Sequence, residues 1–242
     1  MRRIVSSLLL LAALSGTGLA APGTVQMSWD TCGPVAVTNK TSTVPATYAL
    51  YVSVVGADGI RKGHEVDIHY GHSTPTIPDA WHFDPAGCQG PAFVTLMHLP
   101  NAAVSKACPA FSQAATPLAI KSLDYDPPSS PYPDNLMRIL IASGYFDGAT
   151  ENPAQRYFLG GVLFDHSFSV VGPTDPGNTC GGFETPMCFQ LTKAIYVDEN
   201  LVESNFALAE SPMFVTFNSA PGCSQTPAHA KTWGAIKDQY RH

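Results

Sequence analysis

The densest run of side chains able to hold a metal or move a proton is His64-Glu65-Val66-Asp67-Ile68-His69. It resembles the H-E-x-x-H pair of zinc proteases with one residue too many. On a helix that spacing turns the two histidines to different faces, and on a strand an odd separation puts them on opposite sides of the sheet. The protease reading is set aside. A looser site stays open, because His69, His72 and His82 bring three imidazoles to a strand end and the loop after it, a set suited to zinc or copper. The plainer expectation is loop histidines packed on Tyr70, Trp81 and Phe83.

A second group is rich in oxygen. Asp124, Asp126, Asp134 and Asn135 flank a loop carrying Pro127, Pro128, Pro131 and Pro133. Calcium takes about six to eight oxygens, so calcium is the one cofactor the residues suggest, with none as the default. Tyr125 and Tyr132 in the same loop, and Trp81 beside turn residues, offer aromatic faces on which a sugar can stack. Trp29 and Trp81 equally suit the two ends of a sandwich core. Glu65, Asp67, Asp198 and Glu199 are the acids available for glycoside hydrolysis, which needs two carboxyls facing across a cleft. Glu65 and Asp67 read more simply as the solvated side of one strand. No G-x-S-x-G nucleophile elbow occurs.

Cys32, Cys88, Cys108, Cys180, Cys188 and Cys223 form an even set without a C-x-x-C, which favours three disulfides over zinc. Locality pairs Cys180 with Cys188 and Cys88 with Cys108, leaving Cys32 to Cys223. The compartment follows from the first residues. Arg2 and Arg3 precede an apolar run from Ile4 to Leu14 and then Gly18-Leu19-Ala20-Ala21, the layout of a secretory signal over residues 1–20. Secretion to the periplasm, cell surface or medium is expected, where disulfides persist. Without that signal the chain has eleven basic and nineteen acidic residues and no Lys/Arg cluster, a poor match to nucleic acid or anionic membranes.

The elements that must position these groups are strands. Twenty glycines and twenty-one prolines with only 13% charged residues favour many short strands joined by turns. Tyr48–Val55 alternates with both faces largely apolar, as a central strand does. His64–Tyr70 places Val66, Ile68 and Tyr70 on a dry face and Glu65, Asp67 and His69 on a wet one. Phe93–His98, Leu136–Ala142, Tyr157–Val171, Phe189–Val197 and Met213–Phe217 are further strands, with a bulge expected near Gly160-Gly161. At the end, Thr232 caps a short helix whose Trp233, Ile236, Lys237 and Tyr240 share one side.

Several stretches resemble a known group. They include Val25-Gln26-Met27-Ser28-Trp29-Asp30-Thr31-Cys32-Gly33-Pro34, Gly63-His64-Glu65-Val66-Asp67, Ile77-Pro78-Asp79-Ala80-Trp81, Arg156-Tyr157-Phe158, the Cys180–Cys188 run and Thr232-Trp233-Gly234-Ala235-Ile236-Lys237. Together they resemble a group of secreted hypothetical proteins of environmental bacteria. The resemblance implies a disulfide-stapled β-sandwich with a short C-terminal helix, and no activity, cofactor or catalytic residue.

The expected protein is all-β: an antiparallel sandwich, jelly-roll or Ig-like, over residues 21–228 with a helical tail over 229–242. Its expected role is a non-catalytic secreted module that binds a glycan or cell-surface protein, or builds an assembly. A secreted hydrolase with converging carboxylates is the alternative.

Overall fold

The computed structural model describes residues 22–71, 77–83, 87–111, 118–125, 136–173, 180–209 and 213–218. These form β1 (Pro22–Trp29), β2 (Asn39–Lys40), β3 (Thr47–Ala57), β4 (Gly59–Gly71), β5 (Val94–Met97), β6 (Leu118–Tyr125), β7 (Leu136–Glu151), β8 (Arg156–Asp165), β9 (Met187–Asp198), β10 (Glu203–Asn205), β11 (Ala207–Leu208) and β12 (Met213–Phe217). One sheet runs β11-β1-β3-β8-β5. The other runs β2-β12-β9-β4-β7-β6, with β10 added to β9. The all-β sandwich expected from the sequence is formed, and its pairings are antiparallel apart from the short β1–β11 and β2–β12 contacts.

The layers follow from alternation. Val66, Ile68 and Tyr70 of β4 and Met137, Ile139 and Ile141 of β7 point inward against Val25, Met27 and Trp29 of β1 and Leu50, Val52 and Val54 of β3. At one end the core is aromatic. Trp81 lies 4.5 Å from the His166 ring and 5.0 Å from Phe217, and Tyr70 stacks on Phe189 at 5.1 Å. The Trp29 indole N–H crosses between sheets to the Thr216 carbonyl at 2.9 Å. The pairing of β3 with β8 shifts between Val52 and Ser53, opposite Gly160 and Phe158, so the expected bulge is present.

β3 has two apolar faces for a concrete reason. Its outward Tyr51 is covered by residues 99–111, which bring Val104, Cys108 and the outward Phe158 and Met97 into a second small core. A helical turn supports this cover, with Asn101 Oδ1 accepting from the amides of Ala103 and Val104.

The cysteines pair differently from the locality expectation. Cys32 joins Cys108 and Cys88 joins Cys180, across 76 and 92 residues. The first bridge fastens the cover over the first sheet. Cys180 cannot turn back to Cys188, because the chain between them drives Phe183 into the core and bonds Gly181 O to Ala80 N. Cys188 is also disulfide-bonded, and Cys223 lies outside the described residues. β8 stops at Asp165 instead of running to Val171, since Ser167 and Phe168 turn there. The residues 1–20 signal and the Thr232–Tyr240 helix lie outside the described residues. Among the described residues no helix is long and apolar enough to cross a membrane.

Candidate functional site

The outer face of the second sheet carries a groove of about 480 Å³. Its floor is low because small residues meet there: Gly63 of β4 pairs with Gly144 of β7, beside Ala142. A side chain at Gly144 would meet nothing within 4 Å, so that position opens directly into the groove. The walls are tall and aliphatic. Leu118 and Ile120 of β6 form one side, at 64% and 67% exposure, and Ile195 and Val197 of β9 form the other. A contiguous hollow adds Phe146, Leu201 and Glu199. Large aliphatic side chains at this exposure around one depression are unusual on a soluble surface.

Leu201 is held there against its own preference. Its φ is 64°, the left-handed region that a branched side chain avoids. The turn between β9 and β10 fixes it: Asp198 Oδ1 accepts from the amides of Asn200 and Val202, and the Asp198 carbonyl accepts from the Leu201 amide. The neighbouring Asn200 would tolerate that conformation more cheaply. Instead a leucine occupies it, 73% exposed, on the groove's rim.

Charge borders the groove on its β4 side. Lys193 Nζ donates to Glu65 at 2.7 Å, and Arg138 reaches Asp67 at 2.7 Å. Burial alone would raise the Asp67 carboxyl, but hydrogen bonds from His69 and Arg138 bring it below the ordinary range. Asp67 and His69, expected on a wet face, are buried, because β4 is central and its neighbours' long side chains close over it. Glu199 and Glu203 stand at the Leu201 end outside the described ion pairs, and Lys62, whose Nζ donates to the Phe146 carbonyl at 2.9 Å, is the cation that lines the hollow with them.

Two buried polar groups lie in the sandwich itself. The His64 Nε2–H donates to Leu159 O at 2.6 Å while Nδ1 accepts from Tyr145 OH at 3.0 Å, so a neutral ring satisfies both nitrogens. Burial accordingly lowers its pKa to about 4. Arg61 donates to Glu151 at 3.1 Å and lies 3.8 Å over the Tyr196 ring. Burial pushes Glu151 up to about 7, against the opposing pull of Arg61.

The sequence-predicted site residues do not assemble into this groove. Trp81 is fully buried among aromatic rings, so it serves the core and offers no face to a sugar. Asp124 and Tyr125 belong to β6, paired with Arg138 and Met137, and not to the proline loop. Asp126, Tyr132, Asp134 and Asn135 lie outside the described residues, as does His72. His82 Nε2 lies 2.8 Å from Ile77 O, and among the described residues no three His, Cys, Asp or Glu side chains converge as metal ligands. Of the four candidate acids, Glu65 and Asp67 are ion-paired, Asp198 holds the turn, and Glu199 stands on the groove's edge. The groove residues themselves escaped sequence reading. The one available signal was a pair of large apolar residues, Leu118 and Ile120, beside Lys121 in a stretch not recognised as a strand.

No family model and no curated protein matches the chain. Solved structures similar to it include a cohesin module of a Clostridium perfringens family 33 glycoside hydrolase (12% identity, covering 82% of this chain and 98% of that one, TM-score 0.38). A non-cellulosomal cohesin of Archaeoglobus fulgidus gives 8% identity over 90% and 99% of the two chains, TM-score 0.37. A type II cohesin module of the Acetivibrio cellulolyticus adaptor scaffoldin gives 12% over 82% and 98%, TM-score 0.36. At these values no residue role carries across.

Proposed function

We propose that this chain is a non-catalytic, secreted binding module that docks a segment of another protein in the groove on its second sheet. The observation that carries the reading is Leu201, an exposed leucine held at positive φ on the rim of an apolar groove that no described residue covers. Backbone strain that serves no packing is a mark of functional sites. The chemistry of the walls favours a protein over a glycan. Leu118, Ile120, Ile195, Val197 and Leu201 are aliphatic and Phe146 is the exposed ring at one end, whereas sugars are held by aromatic platforms flanked by hydrogen-bonding groups. At the Leu201 end Glu199 and Glu203 outnumber Lys62, a balance that favours a segment whose apolar residues are accompanied by Lys or Arg. Disulfides suit such work outside the cytoplasm.

The test is retention on envelope material from the secreting cells, compared with insoluble polysaccharide, for the native protein and Gly144→Leu. Retention on envelope that is abolished by protease treatment and by Gly144→Leu is the expected result. Retention on polysaccharide that ignores Gly144→Leu would overturn the reading and return attention to Tyr125 and Tyr132. Loss with EDTA in that arm would implicate calcium at Asp124, Asp126, Asp134 and Asn135.

A further inference from the structure

We infer that the groove's resident occupant is the chain's own C-terminal segment, residues 231–241, folded back in cis. The inference rests on the docking reading above and names what fills that site before a partner does. Three observations lead to it. The first is chemical fit: Trp233, Ile236 and Tyr240 recur at helical spacing, three large apolar side chains for a groove whose walls are aliphatic.

The second is charge. The segment carries Lys231, Lys237 and Arg241 against one acid, Asp238, in a chain whose net charge is −6. At the Leu201 end Glu199 and Glu203 stand outside the described ion pairs and outnumber the lining cation Lys62, whose ammonium donates to the Phe146 carbonyl at 2.9 Å. Lys237 follows Trp233 by four residues and Arg241 follows it by eight, so both cations border the apolar stripe on one side.

The third is reach. β12 leaves the second sheet at Phe217, paired with Met187 at the start of β9. The groove lies at the other end of β9, at Ile195 and Val197, which is about 27 Å along the strand. Crossing to β4 and β7 adds about 10–15 Å sideways, for a path of roughly 30 Å. Residues 219–232 can extend to at most about 50 Å. The tail therefore reaches without strain and with enough slack to come off.

Docked there, the segment protects the apolar groove until a partner segment of the same chemistry displaces it. An intramolecular occupant sets a threshold affinity for partners, since each must compete with a tethered ligand at high local concentration.

The chain supplies its own probe. It has three tryptophans, and Trp29 and Trp81 are fully buried in the core, leaving Trp233 to report on the tail. Acrylamide quenching of the full-length oxidised protein, with Trp233→Phe subtracted, isolates that signal. Trp233 should be protected in the native chain and become quenchable in Leu201→Asp and Gly144→Leu, but not in Val35→Asp, whose exposed side chain does not line the groove. Losing one buried leucine contact should shift the docking equilibrium by about tenfold or more. Unchanged Trp29 and Trp81 emission certifies that each variant is folded. Free quenching of Trp233 in the native chain would overturn the inference while leaving the groove open to a partner, which the retention assay reads separately. Protection that ignores both groove substitutions would place the tail elsewhere. Protection lost on dilution would assign the occupant to a second copy. Either result overturns docking in cis.

Discussion

The two outer faces of this sandwich meet the same problem and answer it differently. On the first sheet, Tyr51, Met97 and Phe158 point outward and are covered by residues 99–111, which the Cys32–Cys108 bridge fastens down. On the second sheet, Leu118, Ile120, Phe146 and Leu201 point outward and stay at 64–75% exposure around a groove. One apolar face carries a dedicated, covalently fixed segment, whereas no described residue covers the other. The face left open among the described residues is therefore the one on which a docked segment is useful, and the strained Leu201 on its rim points the same way.

The sharpest way to break this contrast is to place a charge on each face. Val104→Asp, on the inner side of the cover, leaves an unpaired buried carboxylate and should cost about 3–5 kcal/mol. Ile120→Asp on the open face should stay within about 0.5 kcal/mol. Urea unfolding of the two variants measures both. If Ile120→Asp costs as much as Val104→Asp, the second face is covered as firmly as the first, and its occupant is not displaceable. Removing the fastening with Cys32→Ser and Cys108→Ser together should cost about 2–4 kcal/mol, read the same way.

Acid tests the core that both faces share. His64 and His166 titrate lower when folded, at about 4 and about 3, than their ordinary 6.5. Their contribution is complete above pH 6.5 and is lost as pH falls through those values. Glu151 works in the opposite sense: raised from 4.5 to about 7, it favours the folded state below 4.5, and that advantage is lost as pH rises through 7. Between pH 6.5 and 4.5 two histidines outweigh one carboxyl, so stability should fall by about 1.4 kcal/mol per pH unit. Glu151→Gln should roughly double that slope. Urea midpoints across this range check it, and an unchanged slope would show that Glu151 does not titrate there.

The smaller effects lie on the groove. Leu201→Asn should raise stability by about 1 kcal/mol, because asparagine accepts positive φ, while partner retention falls. A loss of stability instead would mean that the leucine packs into the fold. Gly144→Val fills open space on a strand, so it should change Tm little yet reduce retention as much as Leu201→Asn does.

Much of the fold was legible because strands declare themselves by alternation. Val66, Ile68 and Tyr70 were assigned inward from period two alone, and both core tryptophans had a core alternative from the start. β1 carries the same signal in Val25, Met27 and Trp29, but it follows closely on the apolar run Ile4 to Leu14, which obscures its period. The disulfides were illegible for a different reason. Proximity in sequence favours short loops, whereas the pairs join segments brought together by the stacking of distant strands. β6 was illegible because it inverts the usual pattern, pointing Leu118 and Ile120 to solvent while Lys121 turns to the Leu96 carbonyl of the other sheet. The groove draws on five strands and one turn, and no local window contains it.

The most direct measurement is site-specific photo-crosslinking in the cells that make the protein. A photoreactive residue replaces Ile120 in the groove in one protein and Val35, exposed but outside the groove, in another. The docking account predicts a discrete protein adduct from position 120 that Gly144→Leu abolishes, and none from position 35. Adducts of equal yield from both positions, or from position 120 regardless of Gly144→Leu, would contradict it.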